Sequence, residues 1–169
     1  GATIVDLSRA FLDTNGAVKH TCVEVTEKDL APLAKPLYGS LREMAGALKT
    51  ASRRGLVERF DGSIGVGSVL MPFGGKTQQT ETQVSVQKLP TDGVTNTASI
   101  MAYGYNPFIA EWSPYHGAAY AVVEACSKVV AAGADYSRMR FSYQEYFERM
   151  THDPHTFGKP LSALLGALK

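Results

Sequence analysis

Glu124 and Lys128 stand one helical turn apart within NPFIAEWSPYHGAAYAVVEACSKVVAAGADY, residues 106–136. A carboxylate and an ammonium at that spacing share one edge of a helix. Between His116 and Gly133 only Tyr120, Glu124, Ser127 and Lys128 interrupt an otherwise apolar surface, so any chemistry on it would sit along that edge. Other candidates carry a plainer reading. Gly62, Gly65, Gly67, Gly74 and Gly75 surround a strand-like run, and glycine backbone can bring its N–H groups close to a phosphate. The familiar phosphate motifs lead from a strand into a helix, whereas these glycines lead into GSVLMPF, another strand, which favours turns and bulges. Cys126 with His116 would make a nucleophile and base, but a reactive thiol needs a partly open, thiolate-stabilising setting and Cys126 lies among valines and alanines. It reads as a core thiol. His152 and His155 in THDPH have a metal-like spacing without a third or fourth ligand, and Pro154 sets them in a turn before a helix. Glu145 and Glu148 in SYQEYFERM read as a solvated edge. None of these groups is a complete active site, so neither a catalytic nor a metal-ligating residue is assigned.

The elements that would position such residues are legible in part. Ser113 suits a helix N-cap, Pro114 the first helical position and Gly133 the left-handed stop, which predicts one long helix. Ala119, Val122, Val123, Cys126, Val129, Val130 and Gly133 recur at helical period as its buried stripe, with alanines on the other side. Upstream, ATIVDL reads as a strand, SRAFLDTNG as a brief helix and VKHTCVEV as a strand. PLYGSLREMAGALKTAS carries Leu37, Leu41, Met44, Leu48 and Ala51 on one helical face, with Gly55 as its stop. LVERF, GVGSVLMPF, TQVSVQKL, TASIMAY and RMRFSY are short runs rich in β-branched and aromatic residues and predict strands. Residues 156–169 read as a helix cut short. Strands arriving before one dominant helix predict an α+β domain, a mostly antiparallel sheet covered on one face by helices, and not a doubly wound nucleotide fold. No internal repeat or low-complexity segment stands out.

Composition limits the function classes. The chain has 169 residues, 44% hydrophobic and 20% charged, enough for one domain with a core. A formal net charge of +1, with both signs interspersed, gives no electrostatic case for nucleic acid or an anionic membrane. Cys22 and Cys126 do not make a disulfide framework, which points to a reducing, cytoplasmic compartment. No apolar run approaches the roughly 20 residues of a membrane span, and no signal-like segment opens the chain.

The long stretch above, together with GLVERFDGSIGVGSVLMPFGG and FSYQEYFERM, resembles phosphoribosylformylglycinamidine synthase in its large single-chain form. That family comprises ATP- and glutamine-dependent amidotransferases of purine biosynthesis, which convert formylglycinamide ribonucleotide to the amidine. They hold two tandem units similar to aminoimidazole ribonucleotide (AIR) synthetase, and this chain resembles the N-terminal half of the second. The resemblance covers nearly the whole chain and rests on the length of the motifs. It implies an AIR-synthetase N-terminal-domain-like fold over residues 31–169, truncated at its C-terminal end, with residues 1–30 as a connector from the preceding repeat. It also implies an auxiliary ADP or ATP with magnesium. By position, the family's basic residue falls on Arg53 or Arg54, its helix glutamate on Glu124, its strand acid on Gln83 and its helix asparagine on Lys128. Gln83 and Lys128 depart from the pattern. Magnesium would lose a hard anionic oxygen and meet an ammonium one turn from Glu124, unless the lysine itself takes the place of the metal charge. The family's glycine-rich phosphate stretch would follow Lys169, and its synthetase imidazole and Cys-His-Glu glutaminase triad lie elsewhere in the parent enzyme. The expectation is therefore a non-catalytic scaffold half, with an auxiliary ADP/ATP module as the alternative. Its expected partner is the other repeat or a second copy, a homodimer formed through an apolar sheet face carrying Val84, Val86, Leu89, Met139, Phe141 and Tyr143.

Overall fold

The computed structural model describes residues 1–13, 20–25, 38–60 and 65–169. Along them run α1 (Arg9–Asp13), α2 (Leu41–Gly46), a 3₁₀ turn (Leu48–Thr50), α3 (Arg54–Phe60), β1 (Phe73–Gly74), β2 (Thr80–Glu81), β3 (Ser85–Lys88), β4 (Ala98–Met101), α4 (Pro107–Trp112), α5 (Pro114–Ala131), a second 3₁₀ turn (Tyr136–Arg138) and α6 (Pro154–Leu168). The fold is mixed α+β, with six α-helices and two small antiparallel sheets among the described residues.

Local capping fixes the long helix. The Ser113 hydroxyl accepts from His116 N at 3.4 Å, and Pro114 occupies the first turn. At the other end Gly133 adopts φ +94°, Gly133 N donates to Val130 O at 2.9 Å and Ala134 N to Val129 O at 3.2 Å, the paired bonds of a left-handed helix stop. The preceding residues form a separate helix, α4. Asn106 Oδ1 caps it from Phe108 N and Ile109 N at 3.1 and 3.3 Å. A Cβ on Gly117 would lie 2.5 Å from Ala110 Cα, so only glycine lets α4 fold back onto the first turns of α5.

α5 packs closely against α6. Gly117, Ala125 and Val129 are buried on α5, as are Gly158, Ser162 and Gly166 on α6. A Cβ on Gly166 would sit 1.9 Å from Tyr115 O, so the two backbones touch there. Val123 and Val130, expected in the buried stripe, are 62% and 48% exposed. Close backbone contacts reach α5 at Gly117, Ala121 and Tyr115, and these two valines lie outside them.

The sheet is smaller than expected and divided. β3 pairs with β4 in the register Ser85↔Met101 to Lys88↔Ala98. On the other edge of β3, Val69 N donates to Val86 O at 2.9 Å and Lys88 N to Gly67 O at 2.8 Å. β1 and β2 form a separate hairpin whose turn holds Gly75 at φ +81° and Gln78 at φ +51°. LVERF, expected as a strand, belongs to α3: Ser52 Oγ accepts from Arg54 N, and Arg54 pairs with Glu58 one turn on. Gly55 therefore lies inside a helix instead of ending one. Of the amphipathic helix expected over residues 36–52, Leu41–Gly46 is helical behind the Ser40 cap, and it ends where Ala47 turns extended at ψ 141° and the 3₁₀ turn takes over; residues 36–37 lie outside the described residues. ATIVDL and RMRFSY make no strand, because nothing among the described residues pairs with them. The expected stop at Asn15-Gly16 and the connector boundary near residue 30 lie outside the described residues.

Few of the described residues are buried. Val86, Ala125 and Val129 are the buried apolar residues among those described. The surface is 14153 Å², against roughly 8,000 Å² for a compact monomer of this mass. Val86, expected on a presented face, is only 8% exposed, whereas Leu89, Phe141 and Tyr143 are open. Among the described residues no helix is long and apolar enough to cross a membrane.

Candidate functional site

After β4 the chain runs through Tyr103, Gly104 and Tyr105 directly over the middle of α5. A Cβ on Gly104 would lie 1.9 Å from Ala121 O and 3.0 Å from Ala125 N, so only a glycine permits this approach. The crossing brings two backbone groups to the edge that carries Glu124 and Lys128. Lys128 Nζ lies 2.7 Å from Glu124 Oε1 and donates to Tyr103 O at 3.0 Å. It also sits 4.5 Å from the centroid of the Tyr103 ring. The other carboxylate oxygen, Glu124 Oε2, accepts from Tyr105 N at 3.1 Å. Each charged group thus has one partner on the helix and one on the crossing segment. The Lys128 side chain is only 14% exposed, so its charge is compensated where water reaches it poorly.

This arrangement works as a clasp between the strand extension and the helix. Both Glu124 oxygens are engaged, and the ammonium occupies the space one turn away where a cation held by Glu124 would require an oxygen ligand. The chemistry of this edge is charge compensation and backbone anchoring.

The remaining expected nucleotide residues do not join it. Arg54 pairs with Glu58 at 2.5 Å and its guanidinium lies 5.4 Å from the Phe73 ring centroid, which commits it to holding α3 against β1. Arg53 lines an open groove of about 440 Å³ with Ser52 and Arg59, over Leu48, Ala51 and Leu56. Gln83 is exposed between β2 and β3. No hydrogen bond or ion pair connects Arg53, Arg54 or Gln83 with Glu124 or Lys128 among the described residues.

The other candidates resolve individually. His116 Nδ1 lies 2.8 Å from Ser113 Oγ and its ring stacks on Trp112 at 4.9 Å, so it serves the N-cap of α5. Cys126 is half-buried and ten residues further along the same helix, about 15 Å up its axis, too far for a dyad with His116. His155 Nε2 meets Glu24 Oε2 at 3.3 Å, where the extended segment 20–25 docks on α6 through Glu24 N to Pro154 O at 3.1 Å. Among the described residues no group of three or more His, Cys, Asp or Glu side chains could hold a metal ion. Glu148 pairs with Lys159, and this hydrogen bond holds its carboxyl below the usual carboxylate range. Gly65 and Gly75 occupy turns with positive φ, and a Cβ on Gly67 would crowd Lys88 O at 3.2 Å; Gly62 lies outside the described residues.

Sequence reasoning missed Tyr103, Gly104 and Tyr105. The usable signal was a glycine between two tyrosines just beyond a strand, a spacing that suits close backbone approach. No family model, curated protein or solved structure matches the chain.

Proposed function

We propose that this chain is the scaffold half of a phosphoribosylformylglycinamidine synthase, corresponding to the N-terminal half of its second AIR-synthetase-like unit. Residues 1–30 are the connector and residues 31–169 the AIR-synthetase-like domain. The parent is a cytoplasmic ligase, and the chain alone carries no amidotransferase chemistry. The observation that carries the scaffold role is the clasp: Glu124 and Lys128, the helix positions that would face a nucleotide and its magnesium, both spend their charges on the Tyr103–Tyr105 backbone. The exposed apolar side chains support a half-unit completed by the other repeat or by a second copy.

The test is a chimaera. A synthase whose corresponding region is replaced by this chain should restore purine-independent growth to a host lacking the enzyme. A chimaera that is expressed and folded yet inactive contradicts the reading.

One observation favours the auxiliary nucleotide module as a second reading. Arg53 and Arg59 share a groove and neither guanidinium makes a hydrogen bond or ion pair among the described residues, so an anion would meet two uncommitted guanidinium groups there.

A further inference from the structure

Between the 3₁₀ turn and α6, residues 140–147 run without turn or bend, and none of them makes a backbone hydrogen bond to a described residue. Phe141 and Tyr143 stack at 5.9 Å, as side chains two residues apart do on one side of a pleated strand. Phe141, Tyr143 and Tyr146 are 42%, 51% and 86% exposed. The segment therefore has the sequence and shape of a strand and presents its N–H and C=O groups to an incoming chain.

We infer that this segment pairs antiparallel with the same segment of a second copy, about a twofold axis at Gln144. The sequence is self-complementary in that register. Arg140 stands opposite Glu148 of the second copy, joining Lys159 around one carboxylate, and Phe141 stands opposite Phe147. Moving the register by one residue sets Arg140 against either Arg149 or Phe147, so charge and pattern select the Gln144 centre. Surface is available for the contact. Phe141, Tyr143 and Tyr146 supply exposed aromatic side chains on it. The pairing differs from the expected face-to-face sheet contact, of whose residues Val86 is covered within the chain. It uses only this segment and stands independently of the synthase reading.

The test uses the whole chain in sedimentation velocity at micromolar concentration, where a dimer is expected. Ser142→Pro removes an N–H and blocks a ladder without breaking any bond within the chain, so it should give a monomer with unchanged circular dichroism and melting. In a Cys22→Ser background, Gln144→Cys should form a symmetric disulfide on mild oxidation, because a residue on the axis faces itself at roughly 4.5–5.5 Å between Cα atoms. Ser142→Cys, which faces Tyr146, should not. Arg140→Glu, which sets a carboxylate opposite Glu148, should weaken the dimer. A wild-type monomer, a dimer that survives Ser142→Pro, or cross-linking at residue 142 equal to that at 144 overturns the inference.

Discussion

Lys128 Nζ lies 2.7 Å from Glu124 Oε1, and the pair is closed from above by the backbone of Tyr103 and Tyr105. An exposed i, i+4 pair contributes about 0.3–0.5 kcal/mol. This one also anchors a chain crossing and is shielded on its lysine side. Lys128→Ala should therefore lower stability by about 1–3 kcal/mol, between the exposed and buried limits, because Glu124 loses its cation and Tyr103 O its donor. The denaturant midpoint should fall at unchanged slope. An unchanged midpoint would mean the clasp is solvated.

Gly104→Ala should cost more than any neighbouring surface change, about 2–4 kcal/mol. Its Cβ would meet the backbone of Ala121, which cannot turn aside as a side chain can. Gly46→Ala, where a Cβ meets nothing within 4 Å, should be neutral or stabilising by up to about 1 kcal/mol. Equal effects of the two substitutions on the melting temperature would contradict the close crossing.

The two cysteines should label at different rates. Cys22 is exposed and should react rapidly with a thiol reagent in the native chain, whereas half-buried Cys126 should lag until unfolding. Cys126→Ser should destabilise by about 1 kcal/mol. Mass spectrometry of the labelled native chain settles the order.

Two carboxylates set the acid response. Asp135 is held below its usual range by hydrogen bonds from the Ser137 hydroxyl and backbone N–H, and Glu148 by its bond from Lys159. A depressed native pKa means that the unfolded chain takes up the proton first as pH falls. The stabilisation is complete above the unfolded carboxylate range and is lost as pH drops through the lower native values. Carboxyl titration by NMR should place both groups below model peptides, and Lys159→Ala should raise Glu148 toward the ordinary range while leaving Asp135 in place.

What the sequence revealed was local. Ser113, Pro114 and Gly133 fix the ends of α5 through atoms within a turn of themselves, so their types sufficed. LVERF was misread because Val57 and Phe60 favour strands while the decisive pair, Arg54 with Glu58, reaches outside that run. RMRFSY has strand composition, but a strand needs a partner and composition does not supply one. In the clasp, Glu124 and Lys128 were legible from their spacing. Their partners were not, because Tyr105 and Tyr103 lie 19 and 25 residues away in sequence and engage through backbone atoms that every residue has.

The central claim is that Glu124 and Lys128 hold the scaffold together in place of a nucleotide. Titration of the chain with ADP and magnesium by calorimetry tests it most directly, alongside melting at saturating ligand. The account predicts no saturable heat and no rise in melting temperature. Saturable heat with a matching rise, both abolished by Glu124→Gln in a variant that remains folded, would contradict it.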